Sequence, residues 1–224
     1  MSSLERLIED LKRMSTCNVS DALDKLGLRG VARGIKWLCG KKKVVGRAVT
    51  VKVAAAGLRK SKHHLGVRAI MDSRPGDIIV VDNRGRTEMA CWGDLLSYAA
   101  MKAGVEAVVA DGVVRDIGSI MEMGFTVFAR GTVPTSARGR VMEEAYNVPV
   151  ECGGIPVRPG DIVFADLSGV VVIPQERAVE VVEVAKSLYE REEEMFECLR
   201  KGMTILEVDK KFRYEEMLRR DEQA

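Results

Sequence analysis

A chain of 224 residues is long enough to bury one sizeable core and short for two, and 46% hydrophobic with 30% charged residues is the composition of a globular protein. A formal net charge of +2 argues against nucleic acid or an anionic membrane as the main partner, and the one basic run, Lys41-Lys42-Lys43, reads as a solvated loop. Five scattered cysteines, none spaced Cys-x-x-Cys, argue against a disulfide frame or zinc knuckle and for a reducing compartment. With no basic-then-apolar leader and no apolar run of about 18 residues, the expectation is a cytoplasmic protein with no membrane span.

Taken in order, Ser2-x-x-Glu5 reads as a capping box ahead of the helical stripe Leu4, Leu7, Ile8 and Leu11. A second helix is expected over residues 19–26, started by Asn18 or Thr16 and stopped by Gly27. Residues 44–54 alternate Val49, Val51, Val53 with Ala48, Thr50, Lys52 and predict a strand with one buried face. After a short helix and the turn Pro75-Gly76-Asp77, residues 78–82 form a run apolar on both faces, as a strand covered on both sides requires. Asn83-Arg84-Gly85-Arg86 reads as a loop by composition.

Leu95, Leu96, Ala99, Ala100 and Ala103 keep helical spacing up to Gly104, and residues 107–110 are a short buried strand. A helix over 117–123 stopped by Gly124 leads to a strand at 126–129, and short strands follow near 148–152, 155–157 and 169–173. From Glu176 a long helix carries the seam Val181, Ala185, Leu188, Met195 and Leu199 to Gly202, followed by a charged amphipathic tail. Alternating helices and strands of these lengths indicate α/β packing with parallel neighbours. Arg74-Pro75-Gly76-Asp77-Ile78 recurs as Arg158-Pro159-Gly160-Asp161-Ile162. Either both copies solve the same turn-into-strand problem, or they mark a duplication in which the two arginines pair with nearby carboxylates.

Familiar catalytic signatures are missing: no Gly-x-Gly-x-x-Gly opens a helix, no phosphate loop ends in Gly-Lys-Ser/Thr, and the two histidines, His63 and His64, read as exposed or helix-capping. Lys102 lies on an exposed helix position and reads as a solvated amine, not an imine-forming one. What remains is the segment from Gly93 to Asp116. Asp94 and Asp116 stand at predicted helix starts, where each is explained as an N-cap, and Asp111 stands beside Gly112 where a turn would want it. The functional alternative is a crevice at the strand ends of an α/β sheet. There the helix-start amides of Leu95 and Leu96 cradle an anion, Arg115 clamps a carboxylate, and Asp116 holds a hard cation that keeps its waters.

Asp94, twenty intervening residues, and then Arg115-Asp116 match the Asp-x20-Arg-Asp signature of the family of 4-hydroxy-4-methyl-2-oxoglutarate aldolases and RraA-like regulators of ribonuclease E. Ser20-Asp21-Ala22-Leu23, both Arg-Pro-Gly-Asp turns, and Phe128-Ala129-Arg130-Gly131-Thr132 resemble further landmarks of that family in the same order. The resemblance implies a single RraA-like domain over residues 1–224, with a core at about 15–202 and a helical tail at 203–224. It also implies an α/β fold of the swivelling β/β/α type with a long C-terminal helix, assembled as a homotrimer or homohexamer.

The implied activity is that of a Mg²⁺- or Mn²⁺-dependent lyase forming a pyruvate enolate from a small 2-oxo acid, by aldol cleavage or by oxaloacetate decarboxylation. Carried over residue by residue, Asp116 ligates the metal and Asp94 acts on it through water. Arg115 holds the pyruvyl carboxylate and enolate oxygen, and Gly93, Leu95 and Leu96 form the cradle. Glu192 of a neighbouring subunit reaches metal-bound water, within the run Glu192-Glu193-Glu194 that an exposed helix face explains equally well. The alternative within the same family is a non-catalytic regulator that binds a ribonuclease. Nothing in the charge supports direct contact with RNA. A methyltransferase reading, attached to some relatives, lacks its glycine-rich cofactor loop.

Overall fold

The computed structural model describes residues 3–57, 63–214 and 218. In chain order the first elements are α1 (Ser3–Arg13), α2 (Thr16–Lys25), β1 (Val31–Ala32), β2 (Lys36–Cys39), β3 (Val44–Ala55) and α3 (Val67–Asp72). Then come β4 (Ile78–Ala90), α4 (Asp94–Lys102), β5 (Ala107–Val114), α5 (Ile117–Met123) and β6 (Val127–Thr132). The last described elements are β7 (Val141–Tyr146), β8 (Val150–Cys152), β9 (Ile155–Val157), β10 (Ile162–Asp166), β11 (Gly169–Ile173), α6 (Ala178–Arg200) and α7 (Ile205–Phe212). Two compact units result, residues 30–175 and a helical unit of residues 1–29 with 176–224. Among the described residues no helix is long and apolar enough to cross a membrane.

Residues 30–175 are built on the parallel strands β3, β4, β5 and β6. Successive side chains of a strand point to opposite faces, so a strand buried on both sides must be apolar at every position. Ile79 and Val81 of β4, Val108 and Ala110 of β5 and Val127 of β6 pack with Ala69, Ala100 and Ile120 of α3, α4 and α5. Ile78, Val80, Val109 and Phe128, one position out of phase, pack with Val157, Val163, Ala165, Val170 and Val172 of β9, β10 and β11. The layers are therefore helix, parallel sheet and a second β layer, a swivelling β/β/α arrangement. β3 is the hinge of the two sheets: Val44–Arg47 pair with β10, and the same edge further on pairs with β7.

The helical unit packs α1, α2 and α7 against α6. Val181, Ala185 and Leu188 of the expected seam are buried, with Leu11, Val19 and Leu23 buried on α1 and α2. The expected box at Ser2 lies outside the described residues. The cap of α2 is Ser15, not Thr16 or Asn18. Asn18 sits three residues into the helix and returns its side chain to the Ser15 amide at 3.0 Å. The tail is more regular than expected, since a Thr204–Glu207 capping box starts α7.

Two expectations fail in the larger unit, and one strand was not anticipated. The stretch 83–86 is not a loop, because β4 continues to Ala90 through a bulge in which Arg84 and Gly85 take φ of 55° and 68°. β5 likewise runs on to Val114, so Asp111 and Gly112 lie within the strand instead of in a turn. β7 was not foreseen, because its Val-Met-Glu-Glu-Ala-Tyr lacks a β-like composition; Glu143 is nevertheless buried, paired with Arg68 at 2.6 Å. The two Arg-Pro-Gly-Asp segments are the same turn twice. Asp77 and Asp161 each accept the backbone amide of the turn arginine, at 2.8 and 2.7 Å, and Gly76 and Gly160 take φ of 88° and 90°.

Candidate active site

Two strand-to-helix connections meet at the carboxyl end of the parallel sheet. The Cys91 amide donates to the Val113 carbonyl at 2.9 Å and the Arg115 amide to the Trp92 carbonyl at 3.0 Å, which zips the exit of β4 to the exit of β5. Gly93 therefore lies against Arg115-Asp116. Its φ of −158° is open to any residue, but a Cβ there would stand 3.1 Å from Asp116 Oδ2 and 3.2 Å from Arg115 Cγ. A side chain there would push both groups aside by a few tenths of an ångström.

The start of α4 is fixed from below by buried polar groups. Trp92 Nε1 donates to Ser97 Oγ at 2.9 Å, and Ser97 Oγ donates to the Gly93 carbonyl at 2.9 Å. Trp92 and Ser97 are 2% and 0% exposed, so this triangle holds the helix start without contact with solvent. Gly93 is the N-cap and Asp94 is the first helical residue. The capping expectation for Asp94 is thus off by one position, although its Oδ1 does accept the Leu95 amide at 2.7 Å. That bond also occupies one amide of the expected cradle, and a ligand reaching Leu95 N–H would have to replace the carboxylate.

Asp116 stands at the N-cap position of α5 but makes no cap bond. Its φ and ψ of 57° and 33° place it in the left-handed region, and its Oδ2 instead accepts Arg115 Nε at 2.9 Å. A non-glycine residue held there costs on the order of 1 kcal/mol, a conformation that tends to mark functional positions. Asp111 is elsewhere, buried in β5 and paired with Arg130 at 2.5 Å.

Asp94, Leu95, Leu96, Gly93, Arg115 and Asp116 line one cleft of about 290 Å³. Its remaining lining includes Trp92 and three polar side chains that sequence reasoning placed in no site: His64, Ser136 and Arg138. Burial and the neighbouring Arg138 charge hold the His64 imidazole below its ordinary proton affinity. No local pattern marks these three; Ser136 and Arg138 share one turn, and tertiary folding brings His64 to them. Glu192 belongs to the helical unit, where its Oε2 accepts Asn18 Nδ2 at 2.6 Å. Lys102 is exposed on α4 with its ammonium 5.4 Å from the Tyr98 ring, as expected of a solvated lysine.

Among the described residues no three His, Cys, Asp or Glu side chains converge as a metal cage. Asp94 and Asp116 are hard oxygen donors at the edge of an open cleft. Such a pair fits Mg²⁺ or Mn²⁺, which retain waters and take few protein ligands, and does not fit a closed zinc site.

The RraA-like family model (Aldolase/RraA) matches residues 16–172. A Halalkalibacterium halodurans protein carrying the provisional name of 4-hydroxy-4-methyl-2-oxoglutarate aldolase is 37% identical over 180 residues, covering 80% of this chain and 81% of that one. Protein DlpA of Legionella pneumophila is 31% identical over 96% of this chain, which spans only 35% of DlpA. Among solved structures, Streptomyces coelicolor RraAS2, described as an unusual member of the RNase ES inhibitor RraA protein family, superposes with a TM-score of 0.78 at 31% identity, covering 87% of this chain and 98% of that one.

Proposed function

Because this chain belongs to the RraA-like family of aldolases and RraA proteins, we propose that its cleft is the active site of a divalent-metal-dependent lyase that forms a pyruvate enolate. The reaction would be retro-aldol cleavage of acids like 4-hydroxy-4-methyl-2-oxoglutarate, decarboxylation of oxaloacetate, or both. The observation that carries this reading is the convergence of a helix start, a guanidinium and two carboxylates on one cleft.

Each residue's part follows from its setting. Arg115 donates Nε to Asp116, which fixes the plane of its guanidinium and leaves the Nη groups for the pyruvyl carboxylate and the oxygen where negative charge develops. Asp116 would hold Mg²⁺ or Mn²⁺ directly and Asp94 would do so through water. Such a cation, when bound, draws charge from the 2-oxo oxygen as a Lewis acid. The buried Trp92 and Leu96 form the apolar wall that limits water around that oxygen. Met71, Leu95, Tyr98 and Met121, 51–77% exposed on α3, α4 and α5, are the kind of apolar surface that supports a homotrimer or homohexamer. In such an assembly Glu192 of a neighbouring subunit would act on metal-bound water.

The test is pyruvate release from oxaloacetate by wild type and Asp116→Ala, each with Mg²⁺ and with EDTA. Loss of one charge-stabilising group is expected to lower the rate by about 10²–10³-fold. Equal rates in the two proteins would sink the metal assignment. The likeness to RraAS2 favours a second reading, a regulator that binds a ribonuclease. Light scattering with a candidate ribonuclease at micromolar concentration would show a complex under that reading and none under the first.

A further inference from the structure

We propose that Arg138, with His64 and Ser136 beside it, forms a second anion subsite of the same cleft that takes a distal carboxylate of the 2-oxo acid. The inference rests on the lyase reading for the identity of the ligand, but its residues and geometry are independent of the metal.

The first support is the partnering of the arginines. Arg47 holds Asp77 at 3.0 Å, Arg68 holds Glu143 at 2.6 Å, Arg115 holds Asp116 at 2.9 Å and Arg130 holds Asp111 at 2.5 Å. Arg138 also lines a cleft, yet among the described residues its guanidinium meets no carboxylate within ion-pair distance. Arg115 donates its Nε to Asp116 and keeps its Nη groups for the pyruvyl end, so Arg138 is a second cation of the lining, without a carboxylate partner among the described residues.

The second support is that its backbone is held in place. Ala137 is 8% exposed and its carbonyl accepts the amides of Arg140 and Val141, both at 3.0 Å. Ser136 Oγ accepts the Arg138 amide at 3.2 Å, and the Ala90 amide donates to the Thr135 carbonyl at 2.9 Å, which ties the turn to the end of β4. The facing segment is pinned as firmly. Leu65 is 3% exposed, and the Gly66 amide donates to the buried Glu143 at 2.8 Å. Gly66 also lies against Trp92, where a Cβ would approach the ring to 2.9 Å. His64 thus stands on a fixed shelf beside Arg138. Burial and the Arg138 charge favour its neutral form, which leaves it a hydrogen-bond partner and not a second cation.

One guanidinium for the pyruvyl carboxylate and another for a distal carboxylate select four- and five-carbon dicarboxylic 2-oxo acids over acids of similar length with neutral tails. Calorimetric titration in Mg²⁺ with 2-oxoglutarate and with 2-oxopentanoate reads this selection without catalysis. Wild type is expected to bind 2-oxoglutarate about tenfold more tightly, the scale of one charge-assisted hydrogen bond. Arg138→Ala should reduce the preference to about twofold or less, and Arg138→Lys should keep most of it. A wild type without the preference, or a preference that survives Arg138→Ala, overturns the subsite. If the preference depends on Arg138 but oxaloacetate yields no pyruvate, the lyase reading fails and the subsite stands. Pyruvate release with no Arg138-dependent preference gives the reverse. Arg138 is exposed, so the Ala variant keeps the fold, and its melting temperature verifies that.

Discussion

Two polar clefts of the larger unit each hold two aspartates and an ion-paired arginine, and they differ in what their carboxylate oxygens do. In the cleft of about 540 Å³, Asp82 and Asp111 have every oxygen engaged by the fold. Asp82 accepts the Arg84 amide at 3.0 Å and the Glu151 amide at 3.3 Å. Asp111 accepts Arg130 Nε at 2.5 Å and the Gly153 amide at 2.9 Å. These four bonds tie the β4 bulge, β5, β6 and the β8–β9 hairpin together. In the cleft of about 290 Å³, Asp94 and Asp116 each make one such bond among the described residues, and the Asp116 side chain keeps 29% exposure on a strained backbone. Volume alone favours the larger cleft, whereas carboxylate oxygens not taken up by the fold favour the smaller one. Free lone pairs distinguish a site built for a ligand from one built to hold strands together.

The comparison breaks most visibly at Asp111. Asp111→Asn removes the charge facing Arg130, and losing one partner of a buried pair costs about 3 kcal/mol, toward the low end because Arg130 is 28% exposed. Urea denaturation should show that loss, whereas Asp116→Ala, with its single bond to a half-exposed arginine, should shift the midpoint far less. Similar losses in the two variants would mean the clefts do not differ in kind.

Gly93→Ala is the next test. Its Cβ would press on Asp116 Oδ2 and Arg115 Cγ, so the variant should fold normally and release pyruvate about tenfold more slowly, a displacement effect on positioned groups. An unchanged rate would show that the close approach of the two connections does not matter.

The smallest effect concerns His64. Both burial and Arg138 lower its pKa, burial more, so its titration seen by NMR should fall below 6.5 in wild type and move only part of the way back up in Arg138→Ala. An unmoved midpoint would place Arg138 outside the reach of His64.

The buried strands were legible because burial on both faces leaves a continuous apolar run, as at Ile78–Val81, and helix stops were legible from Gly104 and Gly124, which take φ of 79° and 73°. β7 was not, because a buried Glu143 that satisfies Arg68 and the Gly66 amide has the composition of a surface helix. The bulge of β4 hid for a related reason: Asn83-Arg84-Gly85-Arg86 is loop-like in composition, yet its backbone stays in the sheet. At the site, the trio Asp94, Arg115 and Asp116 could be singled out, but whether the aspartates capped helices could not. An N-cap and a ligand-binding aspartate occupy the same place in sequence, and only the backbone angles and the direction of the carboxylate separate them. Trp92, Ser97, His64 and Arg138 left no local signal, since their roles arise from contacts between distant segments.

The central claim is that Asp116 keeps a carboxylate oxygen for a cation that the enolate chemistry needs. Its most direct test is the Mg²⁺ dependence of pyruvate release from oxaloacetate after chelation, compared in wild type and Asp116→Ala. The account predicts that wild type loses its activity in EDTA and regains it as Mg²⁺ is added back, while Asp116→Ala stays low throughout. Wild-type activity that ignores chelation, or a variant that responds to Mg²⁺ as wild type does, would contradict it.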